Sequence, residues 1–224
     1  SDVMKNVRQQ IIKMATVAKT VLITGESGTG KELAARALHQ LSNRSTGPWI
    51  AVNSAALPTN LIQSELFGYE KGAFTGANQV RIGKIEAANK GTIFLDEIGD
   101  IAPDMQVALL RFLQEKTIER LGSTNSIYLD VRVIAATHRD LKEAVINRSF
   151  REDLYYRLNT LHLKIPQLRE RNEDIVDLAY FFLDRFLKEQ KKSKPKDFTI
   201  QALQIMKEHS WAGNVRELIH RVER

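Results

Sequence analysis

The chain has 224 residues, 43% hydrophobic and 27% charged, and no cysteine. That length suffices for one α/β core with a smaller appendage, and the missing cysteines exclude disulfides, thiolate zinc sites and a cysteine nucleophile. The net charge of +6 permits contact with nucleic acid, but the basic residues are dispersed; the one dense run, Lys188 to Lys196, mixes Lys with Glu, Gln, Ser and Pro and reads as a solvated linker between helices.

The N-terminal stretch SDVMKNVRQQIIKMA lacks the apolar centre of a signal peptide, and no segment approaches the ~20 apolar residues of a membrane helix. Apolar residues at helical spacing predict a helix over Val3–Met14. TVLIT at Thr20–Thr24 reads as a short buried strand, followed by a helix over Glu32–Leu41. WIAVN at Trp49–Asn53 predicts a second strand. A helix over Thr59–Phe67 is then broken by the glycine-bearing segment Gly68–Gly76. TIFLD at Thr92–Asp96, VRVIAA at Val131–Ala136 and TLHLKI at Thr160–Ile165 predict three more strands. Pro103 suits the first turn of a helix running to about Glu115. Short apolar strands alternating with helices imply an α/β fold, a parallel sheet with helices on both faces. After Pro166 the strands cease, and Glu173–Glu189, Thr199–Lys207 and Asn214–Arg224 read as helices. The boundary therefore falls at 166, with an α/β domain over 1–166 and a small helical domain over 167–224. The last helix has no stop signal, as expected of a piece of a longer protein.

Gly25-Glu26-Ser27-Gly28-Thr29-Gly30-Lys31 follows a predicted strand and opens a predicted helix. That context is what a phosphate-binding loop requires. Its glycines let the backbone curl so that N–H groups face an anion, and the helix N-terminus adds a favourable dipole. Lys31 supplies a point charge for the β- and γ-phosphates of ATP. Residue 32 is Glu where Ser or Thr usually holds Mg²⁺, which leaves the metal's first shell open on that side.

The strand Thr92–Asp96 ends in the pair Asp96-Glu97. At the C-terminal end of a parallel strand both carboxylates would face the ligand crevice. Asp96 is placed to hold Mg²⁺, directly or through water, and Glu97 to polarise an attacking water as general base. Such a pair favours hydrolysis of ATP over binding alone.

These residues carry a family resemblance. From Met4 to Arg224 the chain resembles the central AAA+ domain of bacterial enhancer-binding proteins, the activators of sigma-54 RNA polymerase. The most diagnostic segment is Ser64-Glu65-Leu66-Phe67-Gly68 followed by Gly72-Ala73-Phe74-Thr75-Gly76-Ala77. The resemblance implies that this GAFTGA sequence tips a loop, here 68–78, inserted in the α/β domain and contacting sigma-54. Two glycines and small alanines suit a mobile tip, and an exposed Phe74 would suit a contact; the alternative is that Phe74 tucks back onto its own helices. Glu32 is usual in this family. Asn53 matches the asparagine that restrains the catalytic Glu, although a strand-end Asn commonly makes a turn. Thr137 and His138 match the sensor of the γ-phosphate, where many relatives have Asn at 138; a metal role for His138 lacks partners at ligand spacing.

Arg151 and Arg157 match arginine fingers that stabilise the transferring phosphoryl group of a neighbouring subunit; the alternative is a helix-surface pairing with Glu152 or Asp153. Arg216 matches the second sensor on the helical lid, with Ala212 standing where relatives usually have Pro. The resemblance further implies a bacterial cytoplasmic ATPase, a ring of six or seven copies, and ATP bound by Gly25–Glu32, Thr137, His138 and Arg216. It implies remodelling of the sigma-54 polymerase closed complex to the open one. DNA contact is assigned to a C-terminal domain outside this chain. The rival reading is another AAA+ remodelling ATPase, acting on DNA or a different protein.

Overall fold

The computed structural model describes residues 1–55, 59–189 and 197–223. Most of the basic run at Lys188–Lys196 therefore lies outside the described residues, as do Ala56, Leu57 and Arg224. The chain divides into two compact units. The larger comprises Gln10–Thr24 and Glu32–Leu163; the smaller comprises Ser1–Gln9, Gly25–Lys31 and Lys164–Arg224.

In the larger unit a five-stranded sheet is built from β1 (Val21–Thr24), β2 (Trp49–Asn53), β5 (Thr92–Asp96), β8 (Arg132–Thr137) and β9 (Leu161–Lys164), in the order β2-β5-β8-β1-β9. The pairs β2–β5, β5–β8 and β8–β1 are parallel. Parallel strands need a crossover between them, and the chain supplies α2 (Lys31–Gln40), α3 (Thr59–Phe67), α4 (Lys84–Ala87), α5 (Pro103–Glu115), α6 (Leu141–Ile146) and α7 (Glu152–Leu158). The middle strands are covered on both faces and so read as unbroken apolar runs: every residue of β8 is buried, and Ile93, Phe94 and Leu95 of β5 are at most 1% exposed. Beside them Leu109, Phe112 and Leu113 of α5 and Leu154 and Leu158 of α7 complete the core. Arg132 is a buried cation at the start of β8, and it closes a helix end. Its guanidinium donates to Met14 O at 2.7 Å and Ala15 O at 2.9 Å, carbonyls that the end of α1 (Asp2–Ala15) leaves without an intrahelical partner.

Two small ribbons stand apart from the sheet and were not expected from the sequence. One pairs β3 (Gly68–Tyr69) with β4 (Arg81–Ile82), and the other pairs β6 (Thr117–Glu119) with β7 (Ser126–Tyr128), both antiparallel.

The smaller unit carries α8 (Asn172–Glu189), α9 (Ile200–Glu208) and α10 (Asn214–Glu223). Its own core is Leu168, Ile175, Ala179, Trp211 and Leu218. Trp211 satisfies its indole N–H by donating to Met206 O at 2.7 Å. Among the described residues, no helix is long and apolar enough to cross a membrane.

Candidate nucleotide and contact sites

The loop Gly25–Lys31 takes its shape from its glycines and its own hydrogen bonds. Gly28 and Gly30 have φ of 78° and 100°, conformations that favour glycine. Thr29 Oγ1 donates to Glu26 O at 2.9 Å, and Lys31 Nζ donates to Gly25 O and Glu26 O at 3.0 and 3.2 Å. The ammonium thus sits on the loop's own carbonyls. The loop is held from the C-terminal helices of the same unit. Asn214, fully buried, donates from Nδ2 to Glu26 Oε2 and Ser27 O, each at 3.0 Å, and accepts Leu168 N–H at 2.8 Å. Arg169 grips Glu26 through two bonds of 2.8 and 3.1 Å. With Asn214 it holds the Glu26 carboxyl below the usual range. Val215 N–H donates to Gly28 O at 3.0 Å and Arg216 Nη1 to Ser27 Oγ at 3.2 Å. Buried Arg171 donates to Thr29 O at 3.1 Å. Nothing in the sequence marks Arg169 or Arg171 as a support of this loop. The only local signal was Asn214 at a helix start, where Asn commonly caps. Glu32 lies in the first turn of α2, with its carboxylate 3.8 Å from Arg36.

In the larger unit, register brings the expected acidic and sensor residues to one edge. Asn53 pairs with Asp96, Leu95 with Ala135, and Thr137 with Thr24, so four strands end together. This is the C-terminal edge of a parallel sheet, where ligands bind in open α/β folds. Asp96 Oδ1 accepts Glu97 N–H at 3.0 Å. Glu97 Oε2 lies 2.6 Å from His138 Nδ1. Asn53 Oδ1 accepts Ala55 N–H at 2.9 Å, the turn that a strand-end Asn commonly makes. Thr137 is buried, and its Oγ1 accepts Arg139 N–H at 3.0 Å. Sequence spacing showed no ligand partners for His138, but the fold gathers Glu97, Asp100 and His138 with ligand atoms within 4.8 Å of one another. Arg139 already occupies Asp100 through an ion pair.

Arg151 and Arg157 both have intramolecular partners. Arg151 makes a two-bond pair with Asp153, at 2.7 and 3.0 Å. This pairing keeps the Asp153 carboxyl below its ordinary value. The backbone N–H of Arg151 donates to Gln106 Oε1 at 2.8 Å, and Gln106 itself is buried. Arg157 donates from Nε and Nη2 to Leu113 O, at 3.2 and 3.1 Å, near the end of α5.

Gly72–Ala77 forms a tight turn closed by Gly72 N–H on Ala77 O at 2.8 Å and Ala77 N–H on Phe74 O at 3.0 Å. Gly72 and Gly76 take φ of 85° and 100°. Thr75 is exposed, whereas Ala77 is buried and anchors the turn. Phe74 is 47% exposed and meets Tyr69 edge-on at 4.9 Å between ring centres. The base of the loop is secured to the β6–β7 ribbon. Leu121 N–H donates to Gly68 O and Glu70 N–H to Leu121 O, each at 3.0 Å. Arg120 bridges Glu70 and Glu86, with bonds of 2.8 to 3.0 Å.

A family described as the sigma-54 interaction domain matches residues 1–164, and one described as an AAA+ ATPase lid domain matches residues 169–224. The transcriptional regulatory protein ZraR of Salmonella typhimurium is 53% identical over 224 residues, all of this chain and 51% of that protein. The regulatory protein AtoC of Escherichia coli is 50% identical over the same span, 48% of its length. The chain thus spans about half the length of these relatives. The crystal structure of NtrX from Brucella abortus in complex with ATP is 38% identical with a TM-score of 0.93, covering 100% of this chain and 48% of that one.

Proposed function

Because the chain belongs to the sigma-54 interaction domain family and ends in an AAA+ ATPase lid domain, we propose that it hydrolyses ATP to remodel sigma-54 RNA polymerase from the closed to the open promoter complex. The observation that carries the reading is the meeting of Asn53, Asp96 and Thr137 at one sheet edge, the edge from whose strand β1 the loop Gly25–Lys31 departs. A loop with inward-turned ammonium and positive-φ glycines is the chemistry an anionic triphosphate fits. NtrX, by its description, has been crystallised with ATP and with ADP. ATP would be bound by Gly25, Glu26, Ser27, Gly28, Thr29, Gly30, Lys31 and Glu32, with Thr137, His138 and Arg216 as sensors. Mg²⁺ fits the Asp96 carboxylate by donor chemistry and would supply charge neutralisation of the phosphates. Glu97 is the general base, and Asn53 its partner in sensing.

Arg151 and Arg157 serve as fingers for a neighbouring copy in a ring of six or seven. That role requires Arg151 to leave Asp153, so the site is complete only in the assembly. The chain divides functionally at residue 166, with the helical part acting as lid. Gly72–Ala77 is the sigma-54 contact, supported by the outward half of Phe74. ATP binding and hydrolysis bias this loop between two states. DNA is contacted by a C-terminal domain of the longer protein, in the bacterial cytoplasm.

The test is capture of sigma-54 by this chain with ADP and fluoroaluminate, wild type beside Thr75→Ala. Capture by wild type alone, and only with the mimic, is the expected result. No capture by a chain that still hydrolyses ATP would move the activity to another remodelling target.

A further inference from the structure

The turn after β5 and the turn after β8 are stapled together by two side-chain contacts. Arg139 pairs with Asp100, and His138 faces Glu97 twice. The backbone N–H of His138 donates to Glu97 Oε2 at 3.3 Å, and Nδ1 of its ring lies 2.6 Å from the same oxygen. An ionised carboxylate only accepts, so Nδ1 carries the proton in that pairing. Glu97 itself sits in the left-handed region, with φ 54° and ψ 45°, which side chains seldom adopt. Its N–H is held by Asp96 Oδ1. Backbone and side chain of Glu97 are therefore both held. Asn53 is engaged elsewhere, on Ala55 N–H.

We infer that His138 is a positioning residue that restrains the Glu97 carboxylate, the part that family resemblance assigns to Asn53. The inference rests on Glu97 being the general base of ATP hydrolysis. An oxygen that already accepts two N–H groups has fewer lone-pair directions for a water. General-base work requires the carboxylate to turn toward the attacking water, and a carboxylate held through Oε2 turns only when that contact loosens. His138 is 44% exposed at its side chain while Glu97 is 17% exposed, so the ring is the partner with room to move.

Two measurements on the purified chain test this. Nitrogen NMR of the imidazole reads the contact without any turnover: the His138 Nδ1 signal should move in Glu97→Ala. Steady-state kinetics read the restraint. His138→Ala should raise kcat about three- to tenfold, the scale of one ordinary net hydrogen bond. Asn53→Ala should raise kcat less. An unmoved ring signal overturns the contact. A kcat that falls or does not change overturns the restraint. Glu97→Gln hydrolysing ATP at the wild-type rate defeats the reading of Glu97 as base, and the ring signal then decides the contact alone.

Discussion

Two loops of this chain, Gly25–Lys31 and Gly72–Ala77, use glycine in the same way locally and differ in everything around it. Each has two glycines at positive φ, 78° and 100° in the first, 85° and 100° in the second. At Gly28 an added Cβ would stand 2.4 Å from Gly213 O and 3.1 Å from the Arg216 side chain, whereas at Gly72 and Gly76 it would meet nothing within 4 Å. The first loop needs Gly28 so that another part of its unit can press against it, whereas Gly30, with nothing within 4 Å of an added Cβ, serves only its φ of 100°. The second is glycine-rich only so that it can turn. One is built to hold a shape and the other to expose a tip.

The sharpest way to break that contrast is to add the same methyl group to both. Gly28→Ala combines left-handed strain with a backbone clash that no side-chain movement relieves. It should weaken ATP binding more than about tenfold and destabilise the chain by roughly 2–4 kcal/mol. Gly76→Ala carries only the conformational strain, about 1–2 kcal/mol, and should leave ATP affinity unchanged. Calorimetric titration and thermal melting of the pair check both statements. Equal losses at the two positions would mean that the clash at Gly213 is absorbed.

Asn214 comes next in size. Its side chain makes three bonds, to Glu26, Ser27 and Leu168, at zero exposure. Asn214→Ala leaves Leu168 N–H without its acceptor and keeps a non-glycine residue at φ 53°. A loss of about 2–3 kcal/mol by denaturant melting is expected, with weaker ATP binding because the loop loses its support. Asn214→Gly should recover the part due to φ. The Glu26 carboxyl in this network has a lowered pKa in the folded chain, so the stability it contributes is complete above its unfolded value of 4.5 and is lost as the pH falls below that value.

How much of this was legible beforehand follows from the kind of information each feature needs. The strands at Trp49–Asn53 and Thr92–Asp96 and the helix at Pro103–Glu115 stand where their composition put them, because an apolar run or a first-turn proline is a local signal. The phosphate loop and Asp96-Glu97 were likewise readable as contiguous residues in a strand-to-turn context. The clamp of Arg169, Arg171 and Asn214 was not. Those residues lie more than a hundred positions from Glu26 and Thr29, and no spacing rule links a lid arginine to a loop carbonyl. The β6–β7 ribbon was missed because each strand is only three residues long, too short for alternation to register. His138 was read as a sensor; that its ring faces Glu97 needed the register of β5 against β8.

The smallest expected change in stability is also the one that best separates fold from function. Phe74 keeps 47% of its surface exposed and touches Tyr69 by its edge. Truncation therefore removes about half of an aromatic burial and one ring contact, roughly 1–2 kcal/mol at most, and less if the turn relaxes. The turn's own bonds, Gly72 to Ala77 and Ala77 to Phe74, are between backbone groups and survive the substitution. Phe74→Ala should thus melt within a few degrees of wild type and bind ATP as before, yet fail to capture sigma-54. A fall of about 3 kcal/mol or more, the cost of emptying a core aromatic site, would show that the ring is a packing residue. The second loop would then be held as firmly as the first, and the contact with sigma-54 would have to be sought at Thr75 and the backbone of the turn.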